Sequence, residues 1–242
     1  MVRGWMSLPM PYYQDSAVTI YCGDCRRILP FLGQFDLLLT DPPYGIGENN
    51  RKNLSRGLLA KPTDYGDFDW DAQSIEQWVI DMMRHHADKQ IIFGGNYYDL
   101  PPCKGPLIWD KENTGDFADG EMAWNNLGGA LRIKHHRWNG MIRKGQEDRF
   151  HPTQKPLEVM TWCIAQAEPV TTILDPFAGS GTTGRAAKDL GKKATLIERE
   201  ERYCEIAAKR MSQEVLALWG PIQGTINGDK TEQILKTTRP GE

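Results

Sequence analysis

The chain has 242 residues, 40% of them hydrophobic and 25% charged, with a formal net charge of −3. That length suits one α/β domain with a sizeable core and inserted loops, and the composition is ordinary for a soluble globular protein. No apolar run is long enough to cross a bilayer, and residues 1–10 lack a secretory apolar segment, so a cytoplasmic location is expected.

Residues 18–21 are β-rich and read as a short strand ending at Gly23-Asp24, followed by a helical turn over 26–32. The apolar run 35–40 predicts a buried strand, and Asp41-Pro42-Pro43-Tyr44 follows it directly. Ligands of open α/β sheets bind at the carboxyl ends of strands. Two successive prolines stiffen the chain there and extend it. A carboxylate, carbonyls and an aromatic face are thus held together. A carboxylate and a carbonyl can accept both hydrogens of an amino group, while a flat ring stacks on Tyr44.

Residues 45–71, rich in Gly, Asn and charge, read as a long loop, which in a compact domain points to function or disorder. A helix is predicted over 74–87, with Ser74 as N-cap and Ile75, Trp78, Val79 and Met82 on one face. Strands are predicted over 90–93 and 106–109, and an edge strand over 121–126. Residues 131–150 form a basic segment. A helix over 156–167, a strand over 171–174, a helix over 182–190, a strand over 194–197 and a helix over 202–218 follow, with a late strand over 222–226. Strands alternating with helices predict an α/β fold, a doubly wound and mainly parallel sheet in a single domain, 1–242. Inserts occupy 45–71 on the catalytic side and 113–150.

The five cysteines, Cys22, Cys25, Cys103, Cys163 and Cys204, are scattered and argue against a disulfide framework. Cys22 and Cys25 have C-x-x-C spacing, but without a second pair no metal site is expected. The acidic net charge hides two basic clusters. Arg51, Lys52, Arg56 and Lys61 form one; Arg132, Lys134, Arg137, Arg143, Lys144 and Arg149 form the other, with His135, His136 and Trp138 among them. Phosphate backbones attract such clusters, although solvated loops also carry them.

The run Leu174-Asp175-Pro176-Phe177-Ala178-Gly179-Ser180-Gly181-Thr182-Thr183 reads as strand, glycine turn and helix start. The glycines let backbone approach a ligand, and the helix start offers free N–H groups. No Gly-Lys-Ser/Thr closes the loop, which excludes a phosphate-binding P-loop. With Gly184 it formally matches G-x-G-x-x-G, so a dinucleotide oxidoreductase stays open, as does a non-catalytic DNA-binding protein. Glu198, ending the next strand, is placed to take two ribose hydroxyls.

Asp-Pro-Pro-Tyr, a basic insert and Asp-Pro-Phe-Ala-Gly-Ser-Gly-Thr-Thr, in that order, resemble the amino-group DNA methyltransferases that use S-adenosylmethionine. The order, catalytic motif before cofactor motif, is similar to the β group of that family. His151-Pro152-Thr153-Gln154-Lys155-Pro156, Gly23-Asp24-Cys25, Phe93-Gly94-Gly95-Asn96 and Ile108-Trp109-Asp110-Lys111 add to the resemblance. It implies a Rossmann-like methyltransferase fold whose inserts read the target. It implies that Asp41, Pro42, Pro43 and Tyr44 hold the target base. Asp24, Cys25, Asp41, Lys155, Asp175, Pro176, Phe177, Gly179, Ser180, Gly181, Thr182, Thr183 and Glu198 are implied to bind S-adenosyl-L-methionine. The partner implied is double-stranded DNA, in a restriction-modification setting, with a homodimer as a family expectation and no nuclease partner legible. Asp at the first catalytic position favours adenine N6 over cytosine N4. Cys103 resembles the nucleophile of cytosine-C5 methyltransferases, but it precedes the glycine motif in a Pro-rich loop, where a structural cysteine is the simpler reading.

Overall fold

The computed structural model describes residues 7–45, 74–113, 118–138 and 154–213. The 45–71 insert beyond Gly45, the basic segment from 139 to 150, and the strand expected over 222–226 lie outside them.

The elements, in chain order, are β1 (Tyr13–Gln14), β2 (Val18–Cys22), α1 (Cys25–Ile28), β3 (Phe35–Thr40), α2 (Gln77–Arg84), β4 (Ala87–Phe93), β5 (Leu107–Asp110), β6 (Gly120–Asn125), β7 (Arg132–His135), α3 (Leu157–Gln166), β8 (Thr172–Asp175), α4 (Thr182–Asp189), β9 (Lys193–Glu198) and α5 (Glu201–Ser212). Among the described residues they form one sheet in the order β1-β2-β9-β8-β3-β4-β6-β5-β7. Only β1 and β6 run against the other strands.

Both faces of the sheet are covered, because the central strands are apolar at successive positions rather than alternate ones. On one face Leu37, Leu39, Ile91 and Phe93 pack with Val159, Met160, Cys163 and Ile164 of α3, Ala186 and Ala187 of α4, and Ala207 and Met211 of α5. On the other, Leu38, Ile92, Leu174 and Ile197 pack with Cys25 and Ile28 of α1 and Val79, Ile80 and Met83 of α2. The doubly wound sheet is therefore present as expected.

Several local expectations are corrected. The helix expected from Ser74 begins at Gln77 after an N-cap at Glu76, and Ser74 caps nothing. Its buried face is Val79, Ile80 and Met83, while Trp78 is 49% exposed. The helix is short, since β4 already starts at Ala87, and Val79, Ile80 and Met83 join the core on that face of the sheet. The segment expected as an edge strand is internal: β6 lies between β4 and β5. The real edge is β7, inside the segment read as basic loop. Exposed Arg132 and Ile133 match the charged, short edge that discourages further pairing. No described helix is long and apolar enough to cross a membrane.

Candidate active site

The carboxyl ends of β2, β3, β8 and β9 meet at one edge of the sheet. From β3 the chain continues to β4 on one side, and from β8 to β9 on the other, so a crevice opens between these neighbours. A cavity of about 560 Å³ fills it. Asp24, Cys25, Asp41, Lys155, Asp175, Pro176, Phe177, Gly179, Ser180, Thr182, Thr183 and Glu198, all expected from the sequence, line it. Asp41 and Pro43 thus share one cavity with the glycine-loop residues. Gln154, Met160, Arg199, Glu200 and Tyr203 also line it, as do Ser74, Ile75 and Glu76 on the approach to α2.

Gly181 does not line the cavity. It caps α4 with φ +80°, and a Cβ there would sit 2.8 Å from the Cβ of Ala207. Its smallness serves the packing of α4 on α5. Arg210 ties the same turn together, donating to the Ser180 carbonyl at 2.8 Å.

Asp175 is 3% exposed. It accepts from Thr40 Oγ1 at 2.8 Å, Thr183 Oγ1 at 2.5 Å and the Phe177 N–H at 3.1 Å, so it pins the glycine loop to β3. Burial pushes its carboxyl up to about 6, against the opposing pull of the two hydroxyls. The folded value lies above the unfolded one, so the native state binds the proton more tightly and loses stability as pH rises from 4 to 7. A rise of about two pH units corresponds to about 3 kcal/mol. Urea unfolding of Asp175→Asn and the parent, at pH 4 and pH 7, is expected to show the parent losing about that much relative to the variant. A difference that does not change with pH would contradict it.

Glu198 accepts from the Gly179 and Glu200 N–H groups, each at 2.8 Å. Burial raises its pKa despite these bonds. Asp24 caps α1 and is gripped by Arg26, with a shortest separation of 2.5 Å.

Around Asp41 a set of polar side chains is closed on itself. One carboxylate oxygen accepts from the Tyr44 hydroxyl and the other from Lys155 Nζ. Lys155 also pairs with Glu121 at 2.9 Å, and Glu121 with Lys111 at 2.5 Å. The Tyr98 hydroxyl lies 3.2 Å from the Pro42 carbonyl oxygen and 2.9 Å from that of Pro43. Tyr44 does not face the cavity. It stacks on Tyr97, with centroids 4.9 Å apart and planes 18° from parallel, and its edge rests on Gly94. Burial raises the Asp41 carboxyl, with Lys155 opposing and Glu121 reinforcing. Burial and then Asp41 raise the Tyr44 hydroxyl well above its usual range.

Glu121, Lys111, Tyr97 and Tyr98 were not singled out as site residues in the sequence. Tyr97 and Tyr98 follow Phe93-Gly94-Gly95-Asn96 directly, and Lys111 ends a run that did stand out. Nothing local marks Glu121.

Of the basic residues expected to meet DNA, Arg51, Lys52, Arg56, Arg143 and Lys144 lie outside the described residues. Arg132 and Arg137 are exposed, and Lys134 pairs with Glu158 at 2.6 Å. His136 and Trp138, which stand among these basic residues in the sequence, are 3% and 7% exposed and belong to the interior. Exposed His135 bonds Asp110 at 2.9 Å. Cys103 sits beside the α1–α2 core with other apolar groups.

Comparison with known proteins agrees with this geometry. A family model described as DNA methylase matches residues 106–209. The Type II methyltransferase M2.LlaDCHI of Lactococcus lactis subsp. cremoris is 39% identical, with 87% of this chain and 95% of the relative covered. The Type II methyltransferase M2.DpnII of Streptococcus pneumoniae is also 39% identical, with coverage of 87% and 96%. In fold, the chain is similar to an M1.HpyAVI–SAM complex (TM-score 0.51, 24% identity, 80% of this chain and 99% of that one). It is likewise similar to the cytosine-N4-specific PvuII DNA methyltransferase (TM-score 0.55, 14% identity, 84% and 89%). The chain belongs to the amino-group DNA methyltransferases, Type II enzymes that use S-adenosyl-L-methionine.

Proposed function

We propose that this enzyme methylates the exocyclic N6 amine of adenine in double-stranded DNA, with the base flipped into the Asp41–Tyr44 cluster. The observation that carries this reading is that Asp41 lines the same cavity as Asp175 and Glu198. An amine acceptor and the cofactor cradle therefore face one space.

The residues present fit the methyl donor. An ionised carboxylate offers about four acceptor positions, and the backbone N–H groups at Gly179 and Glu200 do not fill them. Acceptor capacity remains for ribose hydroxyls. Asp175 holds the glycine loop in shape, and Phe177, Asp24 and Cys25 line the same space. S-adenosyl-L-methionine supplies an electrophilic sulfonium methyl when bound.

The chain's own residues handle the amine. Its lone pair is delocalised into the ring, which makes it a poor nucleophile. Asp41 has two acceptor positions left, and the Pro42 carbonyl has one beside the long Tyr98 bond. Accepting both amine hydrogens there favours a pyramidal nitrogen and frees its lone pair. Positioning supplies much of the rate, and no covalent enzyme intermediate is needed. A base in a duplex cannot reach this edge without leaving the stack. To stack on the face of Tyr44 now covered by Tyr97, it must displace that ring.

Adenine is favoured by the carboxylate at the first catalytic position. Ser74 and Gln154, which follow the two inserts in sequence, line the same cavity as Asp41, so the inserts are assigned to target reading. Incubation with mixed-sequence DNA, then nucleoside mass spectrometry and mapping, is expected to give N6-methyladenine in a fixed context. N4-methylcytosine would replace the base assignment, and no methylated nucleoside would overturn the reading.

A further inference from the structure

A row of four alternating charges crosses the sheet edge and ends on Asp41. Lys111 follows β5, Glu121 lies at the start of β6, Lys155 precedes α3, and Asp41 ends β3. The sheet order β3-β4-β6-β5 brings them into line, although the sequence separates Asp41 from Lys155 by 114 positions. Lys155 also lies 5.0 Å from the centroid of the Phe93 ring of β4, so it bridges this gap over an aromatic face. Its side chain is 7% exposed, that of Asp41 18% and that of Glu121 24%.

Such a row is costly as a structural device. Buried ion pairs recover their desolvation penalty only with good geometry, and apolar replacements often match or exceed them in stability. The row has a clear effect on Asp41. With Asp41 alone as partner, Lys155 would neutralise it completely and weaken it as an acceptor. With Glu121 as a second partner, Lys155 is divided between two carboxylates.

We propose that Glu121 is a positioning residue for the methyl-transfer site, sharing Lys155 with Asp41 so that Lys155 holds Asp41 in place without fully neutralising it and Asp41 stays strongly accepting. This deepens the amine-binding reading of Asp41 and rests on it. The groups that face Asp41 are Lys155, the Tyr44 hydroxyl, Glu121 and, across the crevice, Asp175. Burial alone would raise the Glu121 carboxyl, but Lys155 and Lys111 hold it at about 2. Burial would lower the Lys155 ammonium, and the two carboxylates raise it instead. Glu121 therefore stays charged wherever the enzyme works, and Asp41 is the carboxylate that titrates first.

The test is the pH dependence of kcat, with cofactor affinity measured in parallel by calorimetry. Glu121→Gln removes a negative charge and leaves Lys155 to Asp41. Its acidic limb is expected to move down by about one pH unit, with kcat lower by roughly tenfold to a hundredfold and cofactor affinity close to wild type. Lys155→Met removes the cation, and its acidic limb is expected to move up. Lys111→Met repeats that upward direction at smaller amplitude and carries the test if a more central variant does not fold. A purely structural role would lower activity without moving the limbs in opposite directions. Unmoved limbs, limbs that move the same way, or wild-type behaviour of Glu121→Gln would overturn the proposal while wild-type DNA methylation still stands. Failure of the wild type to methylate DNA would instead remove the reading beneath it.

Discussion

Asp41→Ala is expected to bind S-adenosyl-L-methionine with near wild-type affinity while its turnover on DNA falls by about three orders of magnitude. The two effects separate because the groups assigned to the cofactor have their own supports. Glu198 is held by the Gly179 and Glu200 N–H groups, and Asp175 by Thr40, Thr183 and Phe177. None of these bonds involves Asp41. Removing one partner of a buried ion pair ordinarily costs about 3–5 kcal/mol through the orphaned charge. Here Lys155 keeps Glu121 at 2.9 Å, so the fold is expected to survive. Asp41→Asn keeps shape and one acceptor oxygen but not the charge, and it is expected to fall between the two. Calorimetric cofactor titration beside labelled-methyl transfer to DNA gives both quantities. Near-normal turnover by Asp41→Ala would overturn its assignment, and lost cofactor binding would move Asp41 into the cofactor cradle.

The parts of this site that could be read from the sequence are those with local signals. An apolar run before two prolines marks the end of β3, and a glycine turn between an apolar run and Thr182 marks the start of α4. Those two features brought Asp41, Asp175 and Glu198 to one edge by topology alone. Glu121 had no such signal. It is an acid on a short strand, and its partner Lys155 becomes a neighbour only through the insertion of β6 between β4 and β5. That insertion is a choice of pairing, which no single segment encodes. Positive charge hid β7 for a different reason: an exposed edge strand carries polar residues, so its composition resembles a loop. His136 and Trp138 looked like surface residues in that company, yet both are buried beneath it. The helix face went wrong at Trp78 because helical spacing admits two overlapping stripes through Val79, and packing selects the one with Ile80 and Met83.

Gly94→Ala is expected to lower kcat by roughly a hundredfold with little change in cofactor affinity. Gly94 ends β4 with φ +64°, a left-handed conformation that costs an L side chain about 1–2 kcal/mol. Strain of that size lowers Tm by a few degrees in a chain of this length. The larger effect is local. A Cβ on Gly94 would lie 2.1 Å from Tyr44 Cε1 and 2.5 Å from Cζ, so the ring must move. Its hydroxyl is bonded to Asp41 and its face rests on Tyr97, and displacement disturbs both. Gly128→Ala separates the two causes, since Gly128 has φ +77° and a Cβ there meets nothing within 4 Å. It is expected to share the small loss of Tm and keep its activity. Gly95→Ala offers the opposite contrast, because its Cβ would meet that of Trp124 at 2.2 Å and damage the core rather than the site. If Gly94→Ala and Gly128→Ala show equal kcat, the placement of Tyr44 does not limit the reaction. If only Gly94→Ala loses kcat at matched Tm, the close fit of backbone to ring at the end of β4 is what sets the tyrosine against Asp41.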